Sequence, residues 1–99
     1  MARFDVYANW EGVGYLLDCQ AGLLSNLNTR FVVPLLPLEV APHPARRLNP
    51  IFEIKGNSCV MVTQFAATVP SSLLKERIMS LAADEITIGN AIDMLLTGY

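Results

Sequence analysis

Groups able to do covalent or acid–base chemistry are few in this 99-residue chain, and they sit far apart. His43 is its one histidine and lies between Pro42 and Pro44 in a polar stretch. Cys19 and Cys59 are 40 positions apart, each inside an apolar run. A tetrahedral metal centre draws on clustered Cys and His ligands, and this spacing offers none. Nucleophilic catalysis needs a base held against Ser, Cys or Thr, and no motif surrounds His43. Gly12-Val13-Gly14 lacks the third glycine and the lysine of phosphate-binding loops. Asp84, Glu85 and Asp93 are spread over one helical segment, where capping and the helix dipole explain the first two. The expectation is a binding protein, not an enzyme, with no catalytic residue, metal or cofactor.

Two apolar features remain once catalysis is set aside. Leu23-Leu24 lies in a stretch, Ala21 to Arg30, that also holds Gly22, Ser25, Asn26 and Asn28. Adjacent leucines in a loop cannot easily both point inward, so one is expected to plug the core and the other to face solvent. The second feature is the end of the chain, where Leu96 and Tyr99 close an apolar helix. They either cover a dimer contact or form a partner-binding patch. In such a patch each buried leucine contributes on the order of 1.5–3 kcal/mol.

The elements that must position these features are mainly β. Phe4, Val6 and Ala8 alternate with Asp5 and Tyr7 in the period of a half-buried strand. Asn9 to Gly14 is a turn signal and Tyr15 to Gln20 a second strand, which together predict a hairpin. Phe31-Val32-Val33 favours strand. Pro34 and Pro37 cannot donate to a ladder, so this run is expected at an edge or soon leaving the sheet. Ala41 to Pro50, with three prolines, reads as a surface excursion, and the adjacent Arg46 and Arg47 as solvated loop.

Ile51 to Lys55 and Cys59 to Gln64 flank Gly56-Asn57 as a second hairpin. Val69-Pro70 starts another extended piece, and Leu73 to Leu81 fits either helix or strand. From Asp84, a candidate N-cap, Ile88, Ala91, Ile92 and Leu95 fall at i, i+3, i+4 and i+7 on one helix face. Asn90, Asp93 and Thr97 fall largely opposite. Gly89 suggests a close approach, and Gly98 a helix stop. A small antiparallel sheet or barrel with one terminal helix follows.

Bulk composition adds that this is one domain, residues 1–99, of marginal size for a core. Hydrophobic residues make up 53% and charged residues 16%. A typical domain carries about 25% charged residues, so some apolar surface is expected to be buried between two copies. The net charge of −2 argues against direct nucleic-acid binding. No apolar run reaches the ~18 residues of a membrane span and no leader pattern opens the chain, which predicts a cytoplasmic protein without membrane contact. Cys19 and Cys59 are expected as buried reduced thiols.

Taken in order, several short blocks resemble the CcdB family, toxins of plasmid and chromosomal toxin–antitoxin modules. They are Val6-Tyr7, Asp18-Cys19-Gln20 before a paired aliphatic, Phe31-Val32-Val33-Pro34-Leu35, Arg46 with Leu48 and Pro50, Val69-Pro70, and Asn90-Ala91-Ile92. The resemblance implies an SH3-like antiparallel barrel with a C-terminal helix, shared with MazF toxins, and a symmetric dimer. It also implies a protein that poisons DNA gyrase by binding its A subunit and trapping the cleaved-DNA complex, neutralised by a CcdA-like antitoxin. Carried over, the gyrase-binding set is Leu23, Leu24, Asp93, Leu96, Thr97, Gly98 and Tyr99. The dimer interface takes Leu95, Leu96, Gly98 and Tyr99. Toxic members of the family end in Trp-Gly-Ile, whereas this chain has Thr97 at the tryptophan position. That departure makes a non-toxic or retargeted member the first alternative, and the barrel shared with MazF toxins makes a MazF-like endoribonuclease the second.

Overall fold

The computed structural model describes residues 2–98. Strand β1 (Asp5–Ala8) pairs antiparallel with β2 (Tyr15–Asp18), forming the expected first hairpin. Gly14, at φ 88°, makes the turn possible: a side chain there would run into the Leu35 carbonyl. After a short 3-10 turn, Gly22–Leu24, the chain enters β3 (Thr29–Pro37). Strands β4 (Ile51–Ile54) and β5 (Asn57–Met61) form the second hairpin, followed by β6 (Ala67–Pro70) and β7 (Arg77–Ser80). Helix α1 (Glu85–Thr97) completes the chain. The order across the sheet is β4-β5-β3-β2-β1-β7, with β6 also paired to β3. The result is a mainly β, antiparallel, curled half-barrel with one C-terminal helix, as the patterning predicts.

β3 is the centre of this sheet, which corrects the reading of its prolines as marks of an edge, although the strand does leave the sheet after Pro37 as the other reading had it. Its residues 32–35 pair with β2. On its other side, residues 29–32 pair with β6 and residues 35–37 with β5. Pro34 falls where that side changes partner, and its carbonyl accepts the Val62 N–H at 3.0 Å. The missing N–H of Pro34 therefore faces the gap between two partner strands, where no ladder bond is forfeited. Pro37 lies beyond the last β2 pair. This double partnership bends the sheet on itself.

Bending gives the sheet two buried faces, so the alternation expected of a half-buried first strand is absent. Val6, Leu17, Val33 and Leu35 join Ile54, Met61, Ile88 and Ala91 in the main core. On the opposite face Tyr7, Leu16 and Val32 are covered by Leu74. The segment Leu73 to Leu81, ambiguous by period, resolves as a 3-10 turn (Ser71–Leu73) leading to strand β7. Leu74 closes the second face, and β7 pairs with β1.

Local turn chemistry shifts two other boundaries. The second hairpin turns at Lys55-Gly56, both at positive φ, with Ile54 opposite Asn57. Lys55 accepts the left-handed conformation because a two-residue turn of type I′ requires it at both positions. β5 ends at Met61, and a 3-10 turn, Thr63–Phe65, takes the place of its expected continuation. Residues 41–50 form the expected surface excursion, with Arg46 and Arg47 exposed. Asn49 is its buried anchor: its side chain donates to the Met61 carbonyl and to Gln64, and accepts the Ala45 N–H.

Candidate partner-binding surface

Helix α1 begins at the position read from the sequence, yet Asp84 makes no side-chain cap. A preceding 3-10 turn, Ala82–Asp84, leads the backbone into the helix, and the Ser80 hydroxyl accepts the Ala82 N–H at 3.1 Å. Ile88 and Ala91 are fully buried, and Ile92 packs beside them. These side chains seat the helix against the turn Thr63–Phe65. Past Ile92 the support ends. Leu95 is 42% exposed and Leu96 73% exposed, so the face that begins as core finishes in solvent. Gly98, at φ 83°, stops the helix as expected, with its N–H donating to the Met94 carbonyl.

Asp93 and Thr97 are exposed, on the side opposite Ile88. The Thr97 hydroxyl donates to the Asp93 carbonyl at 2.8 Å, so its proton is used within the helix and a partner is left its methyl and the accepting side of its oxygen. Gly89 makes no close approach: a Cβ built there meets nothing within 4 Å. Tyr99 lies outside the described residues.

The leucine pair departs from expectation in a useful way. Neither leucine plugs the core. Leu23 is 97% exposed and Leu24 49% exposed, with Leu27 also in solvent. The turn holds them out through its own backbone bonds, Leu24 N–H to Ala21 O, Ser25 N–H to Gly22 O and Leu27 N–H to Leu24 O. Within one protomer, the turn is not among the elements α1 substantially packs against. Leu23-Leu24 and Asp93–Gly98 are thus two separate exposed apolar features.

Beneath the turn lies a feature the sequence reading missed. Arg30, assigned there to a loop, is a β3 residue with its side chain fully buried against Asp18 of β2. Its Nε and Nη2 donate to Asp18 Oδ2 at 3.0 and 2.7 Å. Asp18 Oδ1 accepts the Gln20 N–H, and Gln20 reaches both ways: its Oε1 accepts the Phe31 N–H at 2.9 Å and its Nε2 donates to the Leu24 carbonyl at 3.0 Å. The signal was present as an Asp, Gln and Arg interleaved among apolar residues, but pairing positions 18 and 30 requires the strand register.

The two thiols are shielded, whereas His43 is exposed in the surface excursion. Burial, reinforced by the Asp18 carboxylate, pushes the Cys19 thiol up to about 12, so it stays protonated and unreactive at neutral pH. Cys59 is raised as well, by burial and then by Glu39 and Glu53. Both cysteines are free and buried, as expected. The Tyr7 phenol is raised by burial and by Asp5 and Asp18, against the opposing influence of Arg30 and Arg77. A cavity of about 410 Å³ opens beside Tyr15, Leu38, Glu39 and Ser58. It lies at the start of β2, whereas the leucine turn follows its end. Among the described residues no helix is long and apolar enough to cross a membrane.

Comparison with known proteins agrees with this architecture. A family model described as CcdB protein matches residues 3–98. Among solved structures, Mycobacterium tuberculosis toxin MazF-mt6 aligns with a TM-score of 0.77 at 16% identity, covering 95% of this chain and 96% of that one. At that identity the likeness shows a common fold.

Proposed function

The chain belongs to the CcdB family of toxin–antitoxin toxins, and on that premise we propose that it acts by binding, as a homodimer that grips the A subunit of DNA gyrase and traps its cleaved-DNA complex. Residues 1–99 act as a single toxin domain in the cytoplasm and are neutralised by a CcdA-like antitoxin whose disordered segment folds on binding. The observation that carries the reading is the helix α1 that is core at Ile88 and solvent at Leu96. A soluble monomer has no reason to extend an apolar face beyond its own body, whereas a dimer meeting at its helix ends does.

Leu95, Leu96, Gly98 and Tyr99 form the dimer contact. Leu23, Leu24, Asp93, Leu96, Thr97, Gly98 and Tyr99 form the gyrase contact. No bond is broken by the toxin itself, consistent with thiols held protonated by burial.

Deleting residues 97–99 is expected to abolish growth inhibition in a gyrase-sensitive host while leaving the thermal transition in place. A truncated protein that still kills would overturn the assignment. Incubation with RNA checks the chemistry: site-specific cuts would sink the non-enzymatic reading.

One observation favours a second reading. Thr97 occupies the position of the family's tryptophan and ties its hydroxyl to Asp93, so no aromatic anchor stands there. Losing a hot-spot tryptophan costs about 2–4 kcal/mol, or roughly 30- to 1,000-fold in affinity. A retargeted member that keeps dimerisation and antitoxin binding would give normal growth and no capture of gyrase A.

A further inference from the structure

We propose that Gln20 is a positioning residue for the docking surface: wedged upright by the buried Asp18–Arg30 pair, it holds the Leu23–Leu24 turn in the shape that meets the partner. This rests on the assignment of Leu23 and Leu24 to that surface. The geometry is a chain of five hydrogen bonds. Two arginine N–H groups fix Asp18 Oδ2, and Asp18 Oδ1 then accepts the Gln20 N–H. The Gln20 amide is thereby placed between two backbone groups of different elements. Its oxygen accepts the Phe31 N–H of β3, and its nitrogen donates to the Leu24 carbonyl.

Each part of that arrangement has a reason. Gln20 is 9% exposed, so both ends of its amide require partners, and an amide is the side chain that both accepts and donates across that gap. Leu24 O accepts a second bond from Leu27 N–H, so one carbonyl sits at the junction of the turn and its anchor. The turn has no buried side chain of its own. An apolar plug, the usual way to fix a loop, is therefore missing, and polar tethering replaces it. Two leucines held in solvent without collapsing inward are pre-ordered for a partner, which lowers the entropy lost on docking. Arg30 Nη1, buried with no hydrogen-bond partner, shows that the ion pair is anchored to Asp18 on one side only.

The test is a double-mutant cycle read as affinity for purified gyrase A. Gln20→Met, close to isosteric, removes both amide bonds. It is expected to weaken binding roughly tenfold in the wild-type background and less than twofold when Leu23→Ala and Leu24→Ala are already present. A structural role alone would lower the thermal midpoint and leave affinity unchanged, or would add equally in both backgrounds, and either result overturns the proposal. Gln20→Asn, which keeps the amide but cannot span both partners, serves if the first variant fails to fold, and the same cycle applies. Amide exchange in the free protein separates this claim from the gyrase assignment. The Leu24, Ser25 and Leu27 N–H groups are expected to lose protection in either variant while Val33 keeps its own. Unchanged protection overturns the proposal even if gyrase binds, and lost protection upholds the anchoring even if wild-type protein fails to bind gyrase A and the functional reading falls.

Discussion

The Leu23–Leu24 turn and the far end of α1 expose leucines to a similar degree, but they are held in opposite ways. The turn is short, has no buried side chain, and is tied from below by Gln20, Asp18 and Arg30. The helix end has regular backbone bonds and little beneath it: beyond Ile92 only Met94 is partly covered. A loop that must keep its shape needs anchors from the sheet. A helix supplies its own shape and needs only a root, so its tip is free to be shared with a second chain. One is shaped by anchors from the sheet; the other is shaped by its own backbone.

The sharpest way to break this contrast is to remove the anchor. Arg30→Met leaves the Asp18 carboxylate buried without its cation and is expected to destabilise the fold by about 3–5 kcal/mol, read by denaturant unfolding. Replacing both, Asp18→Leu with Arg30→Met, is expected to recover most of that loss, because the pair repays little of its own desolvation. Next comes the root of the helix. Ile88→Ala is expected to cost about 2–5 kcal/mol by opening a cavity in the main core, with the midpoint again the measurement.

At the helix tip the balance reverses. Leu96→Ala should move the stability of an isolated protomer by less than about 0.5 kcal/mol. The same change is expected to weaken dimerisation or gyrase binding by about 1–2 kcal/mol, measured by sedimentation and by pull-down titration. The smallest effect belongs to Gly89→Ala. Space around this position is open, so the variant should gain up to about 1 kcal/mol of helix stability. A loss in its place, growing with protein concentration, would put a second chain against that glycine.

Local chemistry explains which parts of this could be read from residues. The β1–β2 hairpin, the helix and its Gly98 stop depend on periodicity and turn residues that are neighbours in sequence, and they stand where expected. The partner change at Pro34 depends on three strands from distant parts of the chain, so its proline pointed the wrong way. The leucines were visible as an anomaly in a polar loop, but the backbone bonds of the turn and the reach of Gln20 to Leu24 and Phe31 are announced by no spacing rule. Arg30 shows the same limit: a cation beside Phe31 reads as surface until Asp18 is brought alongside by the register.

The bend at β3 carries one more consequence. Three strands from different stretches of the chain hang on the same nine residues, so neither wing of the sheet has an independent existence. Peeling β6 away bares residues 29–32 on the flank of β3 whose far end holds β5, and losing β5 strands β4. Such wiring is expected to make melting a single collective event, with no half-open form for proteases to find.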